Sequence, residues 1–366
     1  MREKAIVTGV QVNNKDAAFT YSMQELQELA AACHMKVVGE ITQKLQRINQ
    51  AYYIGSGKLK ELRALQEEKE ARVVIFDDEL SAMQIRNLEA ELACDVIDRT
   101  MLILDIFARR AKTRESQLQV EVARLKYMLP RLVGSHESLG RQGGGVGLTN
   151  RGSGETKLEL DRRKIEERIA KLNKELIRVV EQRNLQRKKR RKNEQLLVSL
   201  VGYTNAGKST IMNTVLEKTA GKEEKHVFEK DMLFATLETS VRHVKLVSNK
   251  GFLLTDTVGF INKLPHHLIK AFRSTLEEVT EADLLVHVID YSNPNHEQHK
   301  QLTNDILAEI GVKDTPMIYA YNKADLVDSA FPVIKENTVY LSAKQNIGVD
   351  ELLQLIGQNI FQHVLN

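Results

Sequence analysis

Residues Gly202-Tyr203-Thr204-Asn205-Ala206-Gly207-Lys208-Ser209 set two glycines, a lysine and a hydroxyl at the spacing G-x-x-x-x-G-K-S. Each part has a task at a polyphosphate. The glycines let successive backbone N–H groups curl around a β-phosphate, Lys208 puts a cation on the β- and γ-oxygens, and the Ser209 hydroxyl can ligate Mg2+. A continuous apolar run, Gln195–Gly202, precedes this loop and a helical pattern, Thr210–Glu217, follows it, which is the order a buried parallel strand feeding a helix requires. A second Gly-Lys pair lies in Ile54-Gly55-Ser56-Gly57-Lys58-Leu59. There Tyr52 stands where the first glycine belongs, and Leu59 cannot ligate a metal. This stretch reads as a strand-to-helix turn, with a second, weaker nucleotide site in the N-terminal part as the alternative.

Further pieces follow in chain order. Gly251–Thr255 is a second apolar strand that runs into Asp256-Thr257-Val258-Gly259. Asp256 can hold Mg2+ through a water, and the Gly259 N–H can contact a γ-phosphate. Between the two motifs lies Phe234-Ala235-Thr236-Leu237-Glu238-Thr239, in which Thr236 can supply a second hydroxyl to the metal. Leu284–Asp290 and Pro316–Tyr321 read as two more strands, the second leading into Asn322-Lys323-Ala324-Asp325. The Asp325 carboxylate can accept from both N1–H and the exocyclic amine of guanine, an arrangement adenine does not offer. The Lys323 stem can lie along the base. After a strand at Thr338–Leu341, the N–H groups of Ser342-Ala343-Lys344 can meet guanine O6. Together these imply a site for GTP or GDP with Mg2+. Its catalytic candidates are Lys208, Thr236 and Gly259, its metal ligands Ser209, Thr236 and Asp256 (through water), and Thr210 borders the phosphates. Phe260 follows Gly259, where Ras-like enzymes carry a glutamine that orients the attacking water. Hydrolysis by the protein alone should therefore be slow, and faster on a partner.

The elements around this site fall into three stretches. Residues 1–110 alternate strands (Lys4–Val10, Val37–Ile41, Arg72–Phe76) with helices (Ser22–His34, Gly57–Glu70, Ser81–Ala93), which predicts a small parallel α/β sheet, with Ser22 and Ser81 as N-caps. Residues 98–131 carry one long helical pattern, with Leu118, Val122, Leu125 and Leu129 along one face and Pro130 ending or bending it. Gly134 to Gly154 reads as a mobile glycine-rich loop. From Glu155 a second helix places Ile165, Ile169, Leu172, Leu176 and Val179 in a heptad seam, so residues 111–193 predict an antiparallel hairpin in which each seam buries the other. Residues 194–366 predict a Ras-like P-loop GTPase domain.

Charge separates these stretches. Residues 1–110 hold 15 basic and 17 acidic residues, residues 111–193 hold 22 and 10, and residues 194–366 hold 16 and 22. The hairpin thus carries a net +12 in a chain whose total is +4, and it ends in six consecutive basic residues, Arg187–Lys192. A basic arm of this kind suits a polyanion, RNA above all, since it gains affinity by releasing counterions; a solvated helix face or a charged linker is the alternative. No apolar run approaches the roughly 18 residues of a membrane span, and the N-terminus lacks the apolar core of a signal peptide. Cys33 and Cys94 stand apart from any metal-binding spacing and fit buried thiols in a reducing cytoplasm.

The motifs resemble those of the HflX family of ribosome-associated GTPases within the translation-factor-like class. The resemblance spans the whole chain. It is most specific at Gly202–Ser209, Asp256-Thr257-Val258-Gly259-Phe260, Tyr53–Leu62 and Arg151–Glu159. It implies an N-terminal α/β subdomain, a helical hairpin and then the GTPase domain. It also implies a cytoplasmic monomer that binds the large ribosomal subunit and its ribosomal RNA and that splits or rescues stalled ribosomes under stress. Ser153 and Lys157 stand where the family pattern has Pro and Gln, and Glu238-Thr239-Ser240 where it has Asp-Pro-Thr. A specialised paralogue, for instance one protecting against ribosome-targeting drugs, could differ at such places. Two other readings of the residues stay open: a signalling switch binding a protein through its N-terminal half, and a membrane-surface GTPase using Arg187–Lys192.

Overall fold

A computed structural model describes residues 3–12, 16–132, 151–192, 195–219, 233–234, 239–246, 251–265, 268, 278–328 and 330–362. The chain divides into two compact units, one formed by Met1–Arg109 with Gln117–Arg178 and the other by Arg110–Ser116 with Val179–Asn366.

The first unit opens with strands β1 (Lys4–Val12) and β2 (Lys36–Leu45) around helix α1 (Asp16–Ala32). Helix α2 (Ser56–Lys69), β3 (Val73–Phe76), α3 (Ala82–Leu92) and β4 (Asp95–Asp98) follow. All four strands are parallel, in the order β2-β1-β3-β4. β1 and β3 are central and buried along nearly their whole length, which is why they read as continuous apolar runs rather than as alternation. Ser81 caps α3 in a full capping box with Gln84. Gly55 is the N-cap of α2, so the Gly-Lys stretch there is a turn entering a helix, as its sequence predicts.

Ser22 is not a cap. α1 begins at Asp16, and Ser22 lies inside it, where its hydroxyl donates to Asp77 (2.7 Å). Asp77 is itself engaged by Arg99, whose guanidinium also reaches Glu25 (2.6 Å) and the Ser22 carbonyl (2.9 Å). Arg99, Asp77 and Glu25 are all at most 2% exposed. A buried hydroxyl next to that cluster is worth more as a donor than as a cap.

The single helical pattern over residues 98–131 resolves into the end of β4, helix α4 (Arg99–Arg110) and helix α5 (Arg114–Leu132). Two local caps make the breaks. Asp98 accepts from the Met101 N–H (2.9 Å) at the start of α4. Thr113 accepts from the Ser116 N–H (3.3 Å) at the start of α5. α5 continues through Pro130 to Leu132. Tyr127 donates to Asp98, and Arg131 bonds the Leu80 carbonyl (2.8 Å), so part of the α5 surface is spent on the end of β4 and the β3–α3 connection rather than on a partner helix.

Helix α6 runs from Arg151 to Lys192. It starts before Glu155 and takes in Gly152 and Gly154; residues 134–150 of the expected loop lie outside the described residues. The basic run Arg187–Lys192 continues the helix to its end. Arg168 bonds Glu121 (2.8 Å), and further along α6 Arg183 bonds Glu115 (2.8 Å), further back along α5, so the two helices run antiparallel. The α6 seam is covered unevenly. Leu172 is 1% exposed, while Ile165, Ile169, Leu176 and Val179 are half-buried.

In the second unit β5 (Leu197–Gly202), α7 (Lys208–Thr219), β6 (Ser240–Lys245), β7 (Gly251–Asp256), β8 (Leu284–Asp290), α8 (His296–Glu309), β9 (Met317–Asn322), β10 (Val333–Lys335), β11 (Thr338–Tyr340) and α9 (Val349–Gln362) follow in turn. They form a seven-stranded sheet of order β10-β11-β9-β8-β5-β7-β6. The edge strands β6 and β10 are antiparallel to their neighbours and the rest are parallel. Val198, Leu200, Val286, Val288 and Ala320 of the sheet pack with Ile211 and Val215 of α7 and Leu352 and Ile356 of α9. This core holds the C-terminal ends of β5, β7, β8 and β9 side by side.

Replacing Arg99 with Met leaves Asp77 and Glu25 buried without their cation. Chemical denaturation should record a loss of about 3–5 kcal/mol. A loss below about 1 kcal/mol would show that the two carboxylates are neutralised by other means.

Candidate nucleotide site

The site grows from the end of β5. Gly202 has φ 144° and approaches β8 so closely that a Cβ would lie 2.2 Å from the Val288 carbonyl oxygen. Gly207 has φ 94°, and a Cβ there would lie 2.1 Å from the Asn322 side-chain nitrogen. Both positions demand glycine, one for the strand and one for the loop. α7 then begins at Lys208 with its first N–H groups facing the loop.

Lys208 is buried and its ammonium donates to the carbonyls of Gly202 (3.1 Å) and Tyr203 (2.8 Å). Burial pushes its pKa down to about 8, against the opposing pull of Asp256. A cation held this way is short of anionic company and is suited to a phosphate. Thr204 points the same way: its hydroxyl is buried and meets no hydrogen-bond partner among the described residues. Asn205 takes the left-handed conformation (φ 60°) at the loop's turn, and Ala206 is fully buried beneath it.

Ser209 donates to Asp256 (2.7 Å) from the first turn of α7. Asp256 ends β7 at 0% exposure. A hydroxyl and a buried carboxylate converging beside the phosphate loop are the hard oxygen donors that Mg2+ takes, so the residues fit the metal. Among the described residues there is no His, Cys, Asp and Glu cluster of the kind that holds a transition metal. Thr257 donates to the Leu200 carbonyl (2.7 Å), Val258 is buried, and Gly259 comes within contact of Thr204 and Lys208, where a Cβ would lie 2.7 Å from Thr204 Cα. Phe260 is 1% exposed and exchanges backbone hydrogen bonds with the loop: Thr204 N–H to its carbonyl (2.7 Å) and its own N–H to Gly202 (3.1 Å).

The base-reading candidates gather at the ends of β9 and β11. Asn322 donates to the Ala206 carbonyl (3.0 Å) and accepts from the Ala343 N–H (3.0 Å), so one side chain joins the phosphate loop to the Ser342-Ala343-Lys344 turn. Thr214 of α7 donates to the Ala343 carbonyl (3.1 Å) and fixes the turn from a second side. Ser342 is fully buried and pairs with Ile347, while Lys344 is exposed. Lys323 is left-handed (φ 62°) and its ammonium bonds Asp290 (2.7 Å) at the end of β8. Ala324 is buried in a short 3-10 turn, and Asp325 is half-exposed, with the Gln345 amide 3.4 Å away.

The structure therefore brings Gly202–Thr210, Asp256–Gly259, Asn322–Asp325 and Ser342–Lys344 to one edge of the sheet. Phe234 is buried with φ 53°; Ala235, Thr236, Leu237 and Glu238 lie outside the described residues. Three contributors escaped sequence reasoning. Asp290 carries the same signal as Asp256, an acid closing an apolar strand. Thr214 and His299, which stacks on Tyr203, carry none that a single chain reveals.

A phosphate loop with its lysine, a strand-end aspartate beside the loop's serine, and an Asn-Lys-Ala-Asp turn tied back to the loop define a P-loop GTPase. Comparison with known proteins narrows the class. Family profiles match at residues 20–108 (GTP-binding GTPase N-terminal), 110–190 (GTP-binding GTPase middle region) and 197–323 (50S ribosome-binding GTPase). The chain is 47% identical over 361 residues to GTPase HflX of Caldanaerobacter subterraneus subsp. tengcongensis, covering 99% of this chain and 81% of that one. It is 40% identical over 353 residues to GTPase HflX of Escherichia coli K12, covering 94% and 81%. A GTP-binding protein from Sulfolobus solfataricus, crystallised with GDP, shares the fold at a TM-score of 0.51 and 23% identity, over 98% of this chain and 99% of that one. The chain belongs to the HflX family of GTPases. Among the described residues, no helix is long and apolar enough to cross a membrane.

Asn322→Ala should weaken GTP and GDP alike, because it frees the phosphate loop and the Ser342–Lys344 turn together. Two lost hydrogen bonds amount to about 1–3 kcal/mol, or roughly 5- to 150-fold in affinity by titration with labelled nucleotide. Unchanged affinity would mean that the loops hold their places without the bridge.

Proposed function

We propose that this GTPase binds the large ribosomal subunit through its ribosomal RNA in the GTP state, in the cytoplasm and as a monomer, and that it splits or rescues stalled ribosomes under stress. The observation that carries the reading is the match of residues 197–323 to the 50S ribosome-binding GTPase family, joined in one chain to a hairpin region of net charge +12. In this division residues 1–110 and the arm 111–193 dock, and residues 194–366 handle nucleotide. A drug-protective specialisation would reside at the start of α6, near Ser153 and Lys157.

At the nucleotide, the backbone N–H groups of Asn205 to Ser209 receive the phosphates and Lys208 offsets charge on the β- and γ-oxygens. Thr210 lies in the first turn of the same helix. Ser209, Thr236 and Asp256 would hold Mg2+, which when bound neutralises charge that develops on the phosphate oxygens. Gly259 presents its N–H to the γ-phosphate. Asp325 accepts from the guanine N1–H and amine, Lys323 lies along the base with its head on Asp290, and the Ser342–Lys344 turn donates to O6. Phe260 has no group with which to orient water. Hydrolysis is therefore slow in the free protein and accelerates on the subunit, which supplies the missing order.

Sedimentation with separated subunits tests the reading. The protein should travel with large subunits in a non-hydrolysable GTP analogue and not in GDP, release with added salt, and hydrolyse GTP faster when they are present. Failure to co-sediment in either nucleotide state, with rapid unstimulated turnover, would turn the reading towards a switch with a protein partner.

A further inference from the structure

Tyr203 occupies a loop position that nucleotide binding alone leaves open to many residues, yet its side chain is 4% exposed and doubly engaged. Its ring stacks on His299 of α8, with centroids 3.8 Å apart and planes 4° from parallel. Its hydroxyl accepts from the Asn262 N–H (2.7 Å), two residues beyond Phe260. Burial holds the His299 imidazole neutral, at a pKa of about 4, so the stack joins two uncharged rings. The segment that Tyr203 grips is the one that presents Gly259.

The tolerances on that segment are narrow. Gly259 lies so near the loop that a Cβ would fall 2.7 Å from Thr204 Cα and 2.9 Å from the Lys208 ammonium. Phe260 is paired with the loop on both sides, through Thr204 and Gly202. Beyond Phe260 the chain leaves the loop, and the Tyr203 hydroxyl holds the second backbone N–H on the way out, that of Asn262. A displacement of the exit at Asn262 feeds back directly on Gly259, since only Phe260 and Ile261 separate them.

We infer that Tyr203 is a positioning residue for GTP hydrolysis: seated on His299, it fixes the register of Asp256–Asn262 against the phosphate loop and so the placement of the Gly259 N–H. The inference rests on the nucleotide-site reading above. It makes Tyr203 matter to the γ-phosphate and not to the phosphates that GDP retains. A residue that merely supports the fold would affect both nucleotides equally.

Tyr203→Phe keeps the stack and removes only the hydroxyl. In the full chain, single-turnover hydrolysis should slow about three- to tenfold, the worth of one hydrogen bond, and affinity for a non-hydrolysable GTP analogue should fall while GDP affinity stays within about twofold. His299→Ala should show the same split, and His299→Phe, which restores a flat neutral ring, should recover most of the rate. Unchanged hydrolysis in Tyr203→Phe, or equal weakening of GDP and the GTP analogue, would overturn the inference and leave Tyr203 as packing. Absence of guanine-nucleotide binding by the unsubstituted protein would instead remove the site reading, and this inference with it.

Discussion

The side-chain amide of Asn322 is the junction on which the rest of the site depends. It spends its donor on the phosphate loop at Ala206 and its acceptor on the Ser342–Lys344 turn at Ala343. Its own backbone closes strand β9, so it also ties both loops to the sheet. Gly207 has to be glycine because Asn322 stands against it. Without the amide, the two loops would be separate pieces of irregular backbone at the edge of a parallel sheet. With it, the spacing between the phosphate loop and the Ser342–Lys344 turn is set by one rigid group of three atoms. Ligands of open α/β sheets bind at the carboxyl ends of the strands, and the bridge explains how this sheet makes a single site from four of them.

Electrostatics completes what the bridge arranges. Lys208 and Asp256 are both buried, and each is costly in isolation. The lysine is held by two carbonyls, and the aspartate accepts from Ser209. These are stand-in partners of modest strength, which a polyphosphate and a divalent cation can replace with stronger ones. Lys323 also carries local strain, a left-handed backbone of the kind that collects at functional sites, and its ammonium reaches Asp290. The N-terminal unit uses buried charge for a different end. Arg99 with Asp77 and Glu25 joins α1, β3 and α4, and no ligand is needed to satisfy it.

Much of this was legible in the chain. The phosphate loop, the Asp256 motif and the Asn322–Asp325 turn announced themselves because each needs particular residue types at fixed spacing, and the strands between them are continuous apolar runs. Central parallel strands are the easiest elements to read, and β8 matched its expected bounds at Leu284–Asp290. The short strands β4 and β10 and the edge strand β6 were missed, since few residues and mixed polarity leave no period to detect. The break between α4 and α5 was hidden for another reason. It is made by one threonine, Thr113, and a cap of that kind looks the same in sequence as a polar residue on a helix face. Ser22 failed in the opposite sense: a good capping residue was placed inside α1 because a buried carboxylate and guanidinium needed its hydroxyl. The Tyr203–His299 stack crosses from the phosphate loop to α8, and no local pattern could have joined them.

Recognition of the base through Asp325 is open to test by a single exchange of hydrogen-bonding sense. Asp325→Asn replaces an acceptor with a donor, and xanthine replaces the guanine amine with an acceptor. Competition titration should show the variant losing preference for GDP and gaining preference for XDP, while the phosphate contacts keep overall binding in place. A variant that still prefers GDP by the original margin would contradict the assignment of the Asn322–Asp325 turn, and with it the single site that the Asn322 bridge is held to build.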